Sequence, residues 1–297
     1  MVRPDTFGPD DQTLATNAFQ SPSFRPGSRL AAQSEADVLA RALRTAGVEV
    51  HVVQEPMDPP RPNAVFPNNW FSTHPDGTVV VYPLQSPSRR PERDIPILET
   101  LRGLYRIDRT LDLTCLEPQG AFLEGTGSLV LDHDARRAFA CLSPRTDPEA
   151  VSFWCRAMGF EPVTFVARGR DGRPVYHTNV VMALGEGFAA IGSSLIDEKD
   201  LPRVREALSD EREVIDLALD QIEDFAGNML ALRSRDGRQT VVMSERAWAC
   251  LNPDQRSLLS GLARIVRADL PTIEQSGGSA RCMLAEVFLP PHSPLRA

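Results

Sequence analysis

The chain has 297 residues, 42% hydrophobic and 24% charged, with a formal net charge of -8. That length is enough to bury a sizeable core, and the acidic balance, with no basic run longer than Arg89-Arg90, excludes nucleic acid and anionic membrane surfaces as partners. Five cysteines, odd in number and without a C-x-x-C pair, exclude a disulfide framework and a Cys-rich structural zinc site.

The first residues, MVRPDTFGPDDQ, lack the apolar core of a signal peptide, and no apolar stretch is long enough to span a membrane, so a cytoplasmic location is expected. The polar stretch DDQTLATNAFQSPSFRPGS that follows has loop composition and is a candidate lid carrying Asn17. Helical periodicity then appears in SEADVLARALRTAG, RDIPILETLRGL, DPEAVSFWCRAMG, IDEKDLPRVREALS and NPDQRSLLSGLARI. Short strand-like runs such as VEVHVVQ, PVTFVA and EVIDLAL follow several of these helices. Between the helical units lie apolar runs paired across a turn: NWFSTHPDGTVVVYP, GSLVLDHDARRAFACLS, NVVMALGEGFAAIGSS and NMLALRSRDGRQTVVMS, with CMLAEVFLP as a last half-unit.

The residues that open these units are Asn69, Glu124, His177, Asn228 and Cys282, at intervals of 55, 53, 51 and 54 residues. A period of that size points to radial or stacked repetition of one supersecondary unit. If the last unit closes on the N-terminal segment VRPDTF, the repeats form a ring and every opening residue faces one central space. A carboxylate, an imidazole and a thiol are among them, which is the equipment of nucleophilic catalysis.

Cys282 follows Gly277 and Gly278 and has the cation Arg281 beside it, whereas Cys115, Cys141, Cys155 and Cys250 lie in or beside apolar runs and read as structural. Of the histidines only His177 opens a hairpin; it is the natural general acid/base for Cys282. Glu124 precedes a Gly-Thr-Gly turn that is not a phosphate loop, because no Walker sequence is present and the acid would repel a phosphate. Its expected part is to orient His177 or the nitrogens of a substrate.

Together, MVRP, VFPNNW, SRRPER, GAFLEGTGSLVLD, LSPRTD, YHTNVVMA, FAGNML and GGSARCMLAEVFLP resemble the guanidine-modifying, or arginine deiminase, superfamily. Within it the chain looks most like the citrulline-utilisation hydrolases, a branch also called amidinotransferase-like. The resemblance implies an α/β fold, a five-bladed propeller (pentein) of pseudo-fivefold ββαβ-type repeats, as a single domain over residues 1–297. It implies Cys282 as nucleophile, His177 as acid/base and Glu124 as the carboxylate of the triad. It further implies substrate binding by Asn69, Asn179 and Asn228, and a grip on the α-carboxylate of an amino acid by Arg145 and by one of Arg89 and Arg90, with Arg90 preferred. No metal or organic cofactor is implied; the expected partner is a small amino-acid substrate, in a chain compatible with a homo-oligomer.

Deiminases carry Asp where this sequence has Asn69, and again where it has Asn179. Those acids grip a cationic guanidinium, whereas an amide both donates and accepts and so suits a neutral ureido group. Citrulline is therefore the expected substrate, hydrolysed to ornithine, ammonia and carbon dioxide. The alternatives are an arginine dihydrolase, a deiminase or amidinotransferase, and a non-catalytic pentein that uses the ring as a binding surface.

Overall fold

The computed structural model describes residues 1–208 and 212–292. Two strands near the N-terminus, β1 (Val2–Arg3) and β2 (Val53–Gln54), form a parallel pair. The remaining strands make four alike sheets: β3 (Phe71–Thr73), β4 (Thr78–Val81) and β5 (Arg109–Asp112); β6 (Leu129–Asp132), β7 (Arg137–Cys141) and β8 (Glu161–Phe165); β9 (Met182–Gly185), β10 (Phe188–Ile191) and β11 (Glu213–Asp216); β12 (Leu230–Arg233), β13 (Gln239–Ser244) and β14 (Arg264–Ala268). In each, the first two strands are an antiparallel hairpin and the third returns through a helix to lie parallel to the second. The first strands β6, β9 and β12 neighbour one another around the centre. This is the five-bladed α/β propeller that the family resemblance implies, and it realises the ring that the repeat allows.

The fifth blade is split between the two ends of the chain. Its two paired strands and the helix Ser28–Thr45 come from the N-terminal side, and Leu289 from the C-terminal side packs into one core cluster with Val2, Val53, Trp70 and Phe71. The run CMLAEVFLP, expected as half a hairpin, forms no strand of its own. It is held by Thr73, whose Oγ1 donates to Glu286 O at 3.0 Å and accepts from Phe288 N at 2.8 Å, and by the Arg106 amide, which donates to Pro290 O at 2.9 Å.

The crossover helices form where the apolar period predicts them, as Pro148–Met158 illustrates. Asp147 caps its start by accepting from the Glu149 and Ala150 amides, Pro148 occupies the first turn, and Gly159 ends it at φ +70°. Val151, Trp154, Cys155 and Met158 then fall on one buried face against Phe160 and Ala138; Trp154→Ala would cost about 3 to 5 kcal/mol.

Several boundaries differ from the sequence reading. The helix expected to run through Ile265 stops at Leu262, because Arg264–Ala268 pairs with β13. Of VEVHVVQ only Val53–Gln54 is in a ladder. The last residue of IDEKDLPRVREALS, Ser209, lies outside the described residues, and the helix there covers Leu201–Leu208.

Candidate active site

The residues that open the hairpins do so from turns, not from the strands themselves. Asn69 ends the 3-10 turn Pro67–Asn69, Glu124 and His177 are the N-caps of the one-turn helices Gly125–Ser128 and Thr178–Val181, and Asn228 and Cys282 sit in turns at the corresponding points of their blades. The sequence carries no signal for such turns, since four residues are too few to show a helical period. Neighbouring turns pack closely. A Cβ on Gly127 would lie 2.5 Å from Asn69 Nδ2 and 2.7 Å from His177 Nδ1, and one on Gly125, where φ is +51°, would collide with Asn68 O. The Gly-Thr-Gly turn thus admits the groups of the two adjoining blades.

Glu124 is fully buried and accepts a 2.8 Å hydrogen bond from His177 Nε2. Burial alone would raise its carboxyl, but Arg145, His177 and Arg89 outweigh that and hold it down to about 2. The ionised Glu124 fixes the imidazole proton on Nε2 and leaves Nδ1 as the basic nitrogen. Burial lowers His177 to about 4 against the opposing pull of Glu124, so the ring is neutral at pH 7. Tyr176 packs beside it, ring centroids 4.6 Å apart, and donates its hydroxyl proton to Gly277 O.

Cys282 is buried, 3% exposed, and its Sγ accepts from Asn228 Nδ2 at 3.2 Å and Asn179 Nδ2 at 3.4 Å. Burial pushes the thiol up, with the Asn228 amide, the backbone at Ser279, the Asn179 amide and Arg281 opposing in that order. At pH 7 the thiol is therefore protonated and the imidazole neutral, and the two residues line the same cavity. The carbonyl oxygens of Asn179 and Asn228 and the amide nitrogen of Asn68 are buried with no hydrogen-bond partner among the described residues.

The arginines require a correction. Arg90, preferred from the sequence, turns outward to Leu84 O and Glu117, because the 3-10 segment Pro87–Asp94 buries its neighbour instead. Arg89 lines the cavity, grips Glu92 through two 2.8 Å hydrogen bonds and donates from Nη1 to Asn69 Oδ1 at 2.6 Å. Arg145 also lines it, with Nη1 3.5 Å from Glu124 and its other nitrogens on Thr13 O and Thr16 Oγ1. Those last contacts belong to the N-terminal stretch, which crosses the site. Asn17 Nδ2 donates to Ser276 O at 3.3 Å, and Gly277, at φ +77°, has no room for a Cβ against the Asn17 side chain. Asn17, Thr13, Asn63 and Phe66 are site residues that the repeat could not reveal, since none opens a hairpin. Beneath them the cavity over Cys282 measures about 20 Å³, room for about one water.

Several solved structures share this architecture. The N-terminal domain of ArgZ, an arginine dihydrolase from the ornithine-ammonia cycle in cyanobacteria, superposes with a TM-score of 0.76 at 17% identity, covering 97% of this chain and 98% of that one. Unliganded AgrE gives 0.76 at 19% identity over 95% of this chain, which spans 38% of AgrE. A dimethylarginine dimethylaminohydrolase adduct gives 0.62 at 15% identity, covering 86% and 90%. No curated protein matches in sequence. The profile of the eukaryotic N,N-dimethylarginine dimethylhydrolases, however, matches residues 3–289, nearly the whole chain. The protein belongs to that family, and so to the superfamily of hydrolytic enzymes that act on guanidino C–N bonds.

Proposed function

We propose that the protein is a cysteine-dependent hydrolase that cleaves the ureido group of citrulline, with Cys282 as nucleophile, His177 as acid/base and Glu124 holding the imidazole. The observation that carries the choice of substrate is the charge of the wall around Cys282. Asn179, Asn228 and Asn69 stand there, while the buried carboxylates Glu124 and Glu92 each already face an arginine. A guanidinium entering this cavity would find no free counter-charge among the described residues, whereas a ureido group finds amide donors and acceptors.

In the first step the Cys282 proton passes to His177 Nδ1 as sulfur attacks the ureido carbon; the same proton leaves with ammonia, and a thiocarbamate remains on sulfur. Water, deprotonated by His177, then adds to that carbon and expels the thiol. The resulting carbamate decomposes to ornithine and carbon dioxide. Asn179 and Asn228 stabilise the sulfur as it gains charge, since both already donate to it. Arg145 takes the α-carboxylate: its contacts to Thr13 and Thr16 are released when the N-terminal stretch lifts, as it must to admit an amino acid into 20 Å³. Arg89, held by Glu92, positions Asn69.

A second reading, arginine dihydrolysis to ornithine and two ammonias, is supported by the structural likeness to ArgZ, and the family name adds N,N-dimethylarginine as a substrate to test. Incubation with each compound separately decides among them. Citrulline hydrolysis gives one ammonia per ornithine, arginine dihydrolysis two, and dimethylarginine cleavage gives dimethylamine and citrulline. Absence of ornithine from citrulline, with turnover of either other compound, would overturn the first reading.

A further inference from the structure

The ring has a second mouth at the end where the hairpin turns lie. A cavity of about 1290 Å³ opens there, lined by turn residues of three blades, among them His74, Asp134 and Gly187. Most of its charges are spoken for: Asp132 pairs with Arg212 at 2.6 Å, Glu49 with Arg235 at 3.4 Å, and Glu186 with Arg233. Arg281 and Glu286 are different. Arg281 is 5% exposed, yet among the described residues its guanidinium makes one hydrogen bond, a long one of 3.5 Å to Met229 O. Glu286, half-buried on the same wall, has no side-chain hydrogen bond or ion pair among the described residues; its charge and that of Arg281 act on each other without direct contact.

We propose that this cavity is a second binding site, for a zwitterionic α-amino acid whose carboxylate lies on Arg281 and whose ammonium lies on Glu286. A buried guanidinium with one weak partner is costly, and a carboxylate ligand removes that cost. An anion alone would be repelled by Glu286 and a cation alone by Arg281, so the pair selects a ligand carrying both charges. Leu230 and Leu284, next in sequence or nearly so to Met229 and Arg281, line the same cavity and give an apolar side chain its contact surface.

The site stands back to back with the candidate nucleophile. Arg281 directly precedes Cys282, and its charge is one of the influences that ease ionisation of the thiol. A ligand carboxylate on Arg281 offsets that charge, so occupancy at the second mouth reduces the reactivity of Cys282.

The test is saturation-transfer NMR with L-leucine on the full chain, carried out after alkylation of Cys282 so that the catalytic cavity is filled. Leucine binds the alkylated protein, while acetate and isopentylamine, which each lack one of the two charges, bind about tenfold more weakly or less. Glu286→Gln, a change of charge without change of shape, weakens leucine about tenfold and leaves turnover in the absence of leucine unchanged. Three outcomes overturn the proposal: no leucine signal from the unmodified protein, a signal lost on alkylation of Cys282, or equal affinity in Glu286→Gln. None of them depends on which substrate the enzyme hydrolyses.

Discussion

The two sides of the candidate catalytic site differ in how completely their polar groups are satisfied. On one side Glu92, Arg89, Asn69, Glu124, Arg145 and His177 form a continuous chain of ion pairs and hydrogen bonds. On the other, Asn179 and Asn228 donate to a single sulfur and leave both carbonyl oxygens without partners. Buried polar groups are ordinarily hydrogen-bonded, and the exceptions call for an explanation. On the proposed reading, the satisfied wall fixes a base and its orientation, and the unsatisfied wall keeps donors and acceptors ready for a ligand. Substitutions on the two sides should therefore fail in different ways.

The largest effect is expected from Cys282→Ser, which removes the proposed nucleophile with little change of volume. Turnover falls by several decades while the fold persists, and residual kcat above about 1% would contradict the assignment. On the satisfied wall, Glu124→Gln damages both function and stability. Loss of the carboxylate frees the imidazole proton from Nε2 and lowers kcat by a factor of about 100 to 10,000. It also leaves Arg145 and Arg89 without a shared counter-charge, a loss of about 3 to 5 kcal/mol for a broken buried pair. A denaturant titration should show that loss in Glu124→Gln and not in Cys282→Ser; equal stability in the two would mean that the walls do not differ in this respect.

The unsatisfied wall also sets a pH dependence. Because burial raises the Cys282 thiol, the group is protonated at neutral pH, and its reactive thiolate grows as pH rises. Iodoacetamide labelling of Cys282, followed by peptide mass spectrometry, should increase about tenfold per pH unit through pH 9. A plateau near pH 7 would show a preformed thiolate and imidazolium. Exposed Cys115 labels earlier than Cys282 in the same experiment, so order of labelling alone does not identify the nucleophile.

The repeat was legible because four of the blades use the same hairpin and crossover, and the positions of Glu124, His177, Asn228 and Cys282 follow from the period they set. Other features left no mark in the sequence. β5 reads RTLD and is mostly exposed, so it has no alternation to find. The choice between Arg89 and Arg90 depended on which of two adjacent side chains a 3-10 segment turns inward, and adjacent residues carry no periodic signal that decides it. Thr13 and Asn17 reach the cavity by tertiary packing of a polar stretch whose composition suggests a loop or lid, but not which of its side chains enter. What was legible is local or periodic; what was not is contact between distant segments.

The smallest effects separate the two amides that stand where deiminases have acids. At Asn179 an Asp would lie beside Cys282, where no arginine is hydrogen-bonded to that side chain among the described residues, so it gains a directly paired counter-charge when a guanidinium enters. Citrulline, which is neutral, leaves that carboxylate unpaired at about 1 to 3 kcal/mol, and the kcat/KM preference should move toward arginine by about tenfold or more. At Asn69 the same substitution meets Arg89, whose Nη1 is already 2.6 Å from Oδ1. The new carboxylate pairs with that guanidinium before any ligand arrives, so it gains little from arginine and loses little with citrulline. Its preference should stay within about threefold of the wild type, less than about 1 kcal/mol. Measuring kcat/KM for both substrates in the two single variants and in the double variant tests this directly. If Asn69→Asp moves the preference as far as Asn179→Asp does, Arg89 does not neutralise that position and the two walls read substrate charge alike.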